Sequence, residues 1–418
     1  MMKGRRAMIS RICAALALAC ALAAAQFAHA AEPYRLGVLL GFSGTGKPYS
    51  DEGLKGIEIA VAEINAAGGL LGKHPIELVV GDTRTDPKVA VTVAEDLIKD
   101  KKVRAIIGTY SSATALAIKP ICRANRVLHV ATISNSEDIT KLDFSPYTYS
   151  VVPNTYMEAK AAVLATAKLA RQKGWKTYAT IASDYAWGRS RQKLQVELLK
   201  GLAPELKLVA AYWPPLGETA FNSFVVALMN KRPDFVLETI AGTDNDYWRR
   251  AAHDYRLFRK IETPAGLISL VELVREKKWI RRGVYGQTRA PFFAHPDVPV
   301  MQRFVETFRA KKGGYPSDWA VMSYDGVHAI RQGAEKAGSI DTEQVKDALK
   351  GLSIETTRGK LSFREIDNQL SASVYLGRVA DDPRYDFPVY ADLVEFKGPD
   401  IWRPEAEILE ARKPEARK

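Results

Sequence analysis

The sequence predicts an α/β protein of two lobes, each a doubly wound parallel sheet clad by helices. Two observations predict it. From Arg35 onward, short apolar runs of strand length alternate with segments whose apolar residues recur at helical spacing. Near Val151-Val152-Pro153-Asn154 that alternation starts afresh, as a second sheet would require.

The organising unit runs from Arg35 to Lys73. Leu36 to Leu40 is a buried-strand pattern, and a Gly- and Ser-rich turn, Gly41 to Tyr49, follows it. Ser50 is placed to cap a helix, with Asp51 and Glu52 in its positive first turn. Leu54, Ile57, Val61 and Ile64 give that helix one buried face, and Gly68-Gly69 ends it. The loop therefore lies at the carboxyl end of a strand and the amino end of a helix, where open α/β folds bind ligands. Gly41 to Lys47 also has the GxxxxGK spacing of a phosphate-binding loop. The next position there should supply a magnesium-binding hydroxyl, and Pro48 has neither a hydroxyl nor an N–H. Nucleotide hydrolysis is set aside on that residue.

The alternation continues with strands at Ile76–Val80, Val103–Ile107 and Val127–Ala131. Helices follow Asp86-Pro87, a cap and first-turn proline, and run from Ser111 to Asn125. After the restart come the helix Thr155–Gln172, the strand Thr177–Ala182, the helix Ala186–Leu199, strands Leu206–Tyr212 and Asp234–Thr239, and the helix Asp244–Asp254. The stretch Gln287 to Pro291 reads as a linker returning to the first lobe. The helix from Val298, the segment Trp319–Ala337 and the helix Thr342–Leu349 then belong there. Ser373–Val379 and Val389–Phe396 are late strands, and the charged, Pro-interrupted tail from Pro399 is expected to fray.

Residues 1–30 stand apart. Lys3, Arg5, Arg6 and Arg11 form a basic start, Ile12 to Ala25 is apolar and Ala-rich, and Ala28-His29-Ala30 fits a small-x-small cleavage site. This is the pattern of a secretory signal peptide cleaved near Ala30. Removing its four basic groups takes the formal net charge from +12 to +8. No element concentrates Lys and Arg with aromatics, so nucleic acid is not expected as a partner. Cys13 and Cys20 leave with the signal, and Cys122, on an apolar helix face, reads as an inert core thiol.

The five histidines past the signal show no metal-ligand spacing, no GxSxG elbow occurs, and the carboxylates are scattered. An enzyme, a metal site and a cofactor are therefore not expected. Binding groups are easier to see. Thr109-Tyr-Ser-Ser-Ala-Thr114, between a strand and a helix, offers hydroxyls and free N–H groups to an anion; Ser111 can equally be the helix cap. Ala131 to Thr140 follows the next strand with Ser134 and Asn135, a pattern that a simple Asx or Ser turn would also explain. Ser183-Asp-Tyr-Ala-Trp-Gly-Arg189 puts Tyr185 and Trp187 at a strand–helix junction, where they can close over an apolar ligand body or simply pack.

The stretch GFSGTGKPYSDEGLKGIEIAVAEINAAGGLLGKHPIELVVGDTRTDPKVAV, followed by IIGTYSSATALAI, HVATISNSEDIT, SDYAWGR, SYDGVHAI and RGKLSFREIDNQ, resembles the Leu/Ile/Val-binding proteins. These are periplasmic solute-binding proteins of ABC importers with the type I fold, two lobes joined by a hinge of several strands. The resemblance implies three crossings between lobes, the last near Glu365–Gln369. The implied first lobe is 31–152 plus 288–366, and the second is 153–287 plus 367–398. A tail, 399–418, follows. It also implies a monomer, a small-molecule ligand in the interlobe cleft and a membrane permease as partner. Ser112 matches the family's carboxylate-binding serine, Ile133 a ligand-binding carbonyl, Asn135 a hydroxyl–amide position, Trp187 the stacking aromatic and Tyr49 a side-chain-pocket tyrosine. The family's occasional disulfide is absent, since its positions hold Thr85 and Ser111. The family's ammonium-binding acid falls on Gly266 and a second aromatic on Ala241. Asp244, nearby, is either a replacement anchor or a helix cap. If it is not an anchor, the ligand is a carboxylate without an amino group. A ligand-sensing receptor subunit of the same fold, for amides or related molecules, is the alternative.

Overall fold

A computed structural model describes residues 32–413; the signal-like segment 1–30 lies outside them. In the first lobe β1 (Tyr34–Leu40), β2 (Ile76–Asp82), β3 (Ala105–Gly108), β4 (Leu128–Ala131) and β5 (Thr148–Ser150) pair in parallel, ordered β5-β4-β3-β1-β2. The second lobe holds β6 (Thr177–Ala182), β7 (Lys207–Tyr212) and β8 (Phe235–Thr239) as one parallel sheet. β9 (Gly266–Leu267) and β10 (Tyr285–Thr288) form part of another. The chain then returns to the first sheet through the antiparallel β11 (Ser353–Thr356) and β12 (Gly359–Arg364), and through β13 (Gln369–Leu370) beside β5. β14 (Val374–Ala380) and β15 (Val389–Phe396) complete the β9–β10 sheet, antiparallel to β10. The two doubly wound lobes of the expected fold are thus present, with antiparallel late strands at their edges.

Helices of both faces bury the sheets. Lys47–Ala66 packs on Asp318–Ala337 so closely that a Cβ on Gly56 would sit 2.1 Å from the Ala320 carbonyl oxygen. Only glycine permits that approach. Three crossings join the lobes, after β5, after β10 and after β13. Asp318 clamps the second: its carboxylate accepts from the backbone N–H of Arg289 (2.9 Å) and Ala290 (2.8 Å) and from the Thr288 hydroxyl. Gln369 ties the third to the first by donating to the Val152 carbonyl at 2.6 Å.

Several expectations are corrected. Ser50 does not cap its helix, which begins three residues earlier at Lys47 with Gly46 as N-cap. Pro48, with its fixed φ, suits the first turn, and Ser50 Oγ is buried and accepts from Gly41 N instead. Gln287 and Thr288, read as linker, are buried strand, because β14 pairs with both and β9 with Gln287. β13 keeps the chain in the first sheet to Leu370, beyond residue 366. As far as residue 413 the tail is ordered rather than frayed: Gly398–Ile401 and Glu405–Arg412 are helical, Ile408 is buried, and Arg403 pairs with Glu137 at 2.7 Å. Asp244 is not an N-cap, since Gly242 holds that position. Cys122 is free and buried, and burial pushes its thiol up to about 12.

Candidate functional site

Where the lobes meet, a small pocket is lined by side chains of both. The first lobe lines it with Tyr49, Tyr110, Ser112, Ile133 and Asn135, and the second with Tyr185, Trp187, Ala241 and Leu267. Arg289 and Trp319, beside the second crossing, complete the wall. All of these but the half-buried Tyr185 are buried, so the lobes are closed over the space.

Each group is placed by local sequence. Ser111 has extended backbone and caps the helix Ser112–Ala124 through its own Oγ, which accepts from Ala113 N. That leaves Ser112, the first helical residue, facing the cavity at the positive helix end. Its Oγ accepts from Ser136 N at 3.0 Å, so its hydroxyl proton remains to be donated. Tyr49 stacks on Trp319, ring centroids 4.2 Å apart, and meets Tyr110 edge-on at 5.9 Å. Tyr185 and Trp187, one before and one within the first turn of the helix Ala186–Leu202, stand 6.0 Å apart. The indole N–H groups of Trp187 and Trp319 are buried without an acceptor among the described residues.

One ionised side chain reaches the wall: Arg289. Its Nε donates to Glu158 Oε1 at 2.7 Å, its Nη1 to the Ile133 carbonyl at 3.0 Å, and its guanidinium lies 4.9 Å from the Trp319 ring centre. Glu158 is fully buried and also faces Arg191 at 3.8 Å. Burial works to raise its carboxyl, yet the two arginines outweigh that and hold it below the usual carboxylate range.

Of the residues expected from sequence, Tyr49, Ser112, Ile133, Asn135, Tyr185 and Trp187 are brought together on the wall. Ser111, Ser134 and Asp244 are not. Ser111 is the cap, Ser134 Oγ bonds Thr109 Oγ1 at 2.7 Å, and Asp244 accepts from Gly217 N at 2.8 Å. Burial pushes the Asp244 carboxyl up to about 7. Tyr110, Leu267, Arg289 and Trp319 were missed. Tyr110 lies inside a quoted loop and could have been found there; the other three sit in a two-residue strand, in a crossing and at a helix start with no motif around them. Among the described residues no group of His, Cys, Asp and Glu is arranged to hold a metal ion, and no helix is long and apolar enough to cross a membrane.

The sequence profile of the Periplasmic binding protein family matches residues 33–383. The chain belongs to that family. Among its relatives, Leu/Ile/Val-binding protein homolog 7 of Brucella abortus (strain 2308) is 26% identical over 360 residues, covering 83% of this chain and 88% of its own length. The fold is shared with a solute-binding protein of an ABC transporter from Rhodopseudomonas palustris BisB5, solved in complex with 3,4-dihydroxybenzoic acid. Its TM-score is 0.77 at 20% identity, covering 88% of this chain and 98% of that one. It is shared too with an amino acid ABC transporter substrate-binding protein from Pseudomonas fluorescens Pf-5, TM-score 0.75 at 20% identity, covering 88% and 97%.

Proposed function

We propose that this periplasmic binding protein is the solute-receptor component of an ABC importer. It is exported on residues 1–30, cleaved near Ala30, and works as a monomer with a membrane permease. It captures one small carboxylate-bearing solute, an amino acid or an aromatic or aliphatic acid, by hinge closure. The lobes are 31–152 with 288–366 and 153–287 with 367–398, the last boundary drawn out by β13. The observation that carries this reading is the enclosed interlobe cavity, aromatic on most sides, with Ser112 and Arg289 as its polar corner. The relatives' own names speak for both acids and amino acids. No step of capture calls for a cofactor or for catalysis.

Thermal-shift screening of the mature protein against amino acids, aromatic acids, aliphatic acids, amides and urea tests the reading. A solute at a hundred times its Kd stabilises the native state by about 2.7 kcal/mol, a shift of several degrees. A folded protein that no member of the panel stabilises overturns it.

A further inference from the structure

We infer that Arg289 is the anion anchor of the cavity and that the solute it admits is a carboxylate without an amino group. The inference rests on the solute-binding reading above and narrows it.

The cavity is rich in donors and poor in acceptors. Arg289 is its one ionised lining residue and is 3% exposed. Two edges of the guanidinium are fixed, Nε on Glu158 and Nη1 on the Ile133 carbonyl, while Nη2 makes no hydrogen bond among the described residues. The fork is thus held rigid with one nitrogen to spare, an arrangement suited to a carboxylate. The indole N–H groups of Trp187 and Trp319 and the Ser112 hydroxyl proton are also unspent.

The acceptors on the wall are all neutral, the buried Tyr110 hydroxyl, unpartnered among the described residues, included. Ile133 O takes Arg289, and Ser112 Oγ takes Ser136 N. The carboxylates around the cavity are engaged too. Glu158 lies between two guanidiniums, those of Arg289 and Arg191. Asp318 holds the backbone of Arg289 and Ala290; Glu272 accepts the Tyr49 hydroxyl and the Ser269 N–H. Glu238 accepts Trp248 Nε1, and Asp244 is turned to Gly217. An ammonium here meets a like charge and no free carboxylate, and a buried charge without a partner is among the costliest groups a protein can hold. A carboxylate instead completes an arginine whose third edge is open.

Three matched pairs, measured by titration calorimetry on the mature protein, test this: 3-phenylpropanoate against L-phenylalanine, 4-methylpentanoate against L-leucine, and benzoate against benzamide. In each pair the first is expected to bind at least about tenfold tighter. Arg289→Gln removes the charge and leaves Glu158 with Arg191. It is expected to cost the carboxylates at least about thirtyfold, the lower end for truncating a buried charged hydrogen-bond partner, and benzamide under about threefold. Arg289→Lys, which keeps charge but not the fork, falls between. Amino acids that bind as tightly as their deaminated partners overturn the inference. So does unchanged carboxylate affinity in a folded Arg289→Gln. Should that variant not fold, the wild-type pairs decide alone. A wild-type protein stabilised only by ammonium-bearing or uncharged solutes overturns the anchor and leaves the solute-binding reading standing. One that nothing stabilises overturns both.

Discussion

Closure can be tested at a bond that exists only when the lobes meet. The Tyr49 hydroxyl, on the first-lobe helix Lys47–Ala66, donates to Glu272 Oε1 at 2.6 Å; Glu272 belongs to the short helix Leu270–Arg275 that follows β9 in the second lobe. Both residues are buried, and burial with the neighbouring Glu272 charge keeps the phenol protonated far above its ordinary range. Hydrogen bonds to charged groups contribute about 1.5–3 kcal/mol. Tyr49→Phe keeps the ring stacked on Trp319 and deletes only the hydroxyl. Solute affinity should therefore fall about 10- to 150-fold. The melting temperature of the solute-free, open protein should stay within about a degree, since it has no such bond to lose. Glu272 Oε2 also accepts Ser269 N and Oγ in a capping box, and Glu272 does not line the cavity. Glu272→Gln should thus lose a similar factor, and the double variant no more than either single one, because both remove one interaction. Calorimetric titration of the four proteins reads this cycle. Additive losses, or an unchanged affinity in Tyr49→Phe, would refute the bond's role in closure.

Three further outcomes are expected. Gly242 has φ +68°, and a Cβ there would lie 2.2 Å from Thr45 O and 2.5 Å from the Tyr110 hydroxyl, both across the cleft. Gly242→Ala should cost about 1–3 kcal/mol of solute affinity through overpacking, and solute-saturated protein should keep its open radius of gyration in small-angle scattering; full compaction counts against it. Asp244 titrates near 7 when folded and near its ordinary 3.8 when unfolded, so the folded state binds this proton more tightly and stability falls as pH rises from about 4 to 7. Asp244→Asn should be the more stable protein at pH 8, by up to about 4 kcal/mol from three pK units, with the gap vanishing by pH 4 in urea titrations; a gap that does not change with pH refutes the assignment. The exported protein should begin near Ala31 by intact mass, and a chain retaining Met1 would refute cleavage.

The parts of the fold legible in sequence were those whose burial is written in periodicity. β6 and the helix Thr342–Leu349 begin and end where the pattern predicts them. The illegible parts owe their structure to distant partners. Gln287 and Thr288 look like a linker because β14, some ninety residues on, and the two-residue β9 make them strand. The tail looks frayed because Glu137, far back in the chain, holds Arg403. The same division runs through the site. Ser112, Tyr185 and Trp187 stand at strand–helix junctions, which a sequence displays; Arg289 and Trp319 reach the cavity from the second crossing and from a helix start that packs on Tyr49. The weight placed on Asp244 came from its nearness in sequence to Ala241, whereas the Gly217 backbone turns it off the wall.

The position of Arg289 bears on how a solute could drive closure. Its backbone N–H is pinned by Asp318 and its side chain by Glu158, and both acids sit at the start of helices that follow crossings between the lobes. A charge held at the pivot moves little as the lobes swing, so it can meet a carboxylate in the open form at small cost. The aromatics supplied from the second lobe, Tyr185 and Trp187, lie away from that pivot and come over the solute only on closing. Charge recognition and apolar burial are then separate steps, and only the second is tied to hinge motion, because a solute shifts the open–closed balance only by contacts that differ between the two forms. A carboxylate lacking an apolar body should therefore bind without closing the lobes. Acetate at millimolar concentration, seen by scattering to leave the protein open where 3-phenylpropanoate compacts it, is the expected contrast; equal compaction by both would place the trigger on the charge instead.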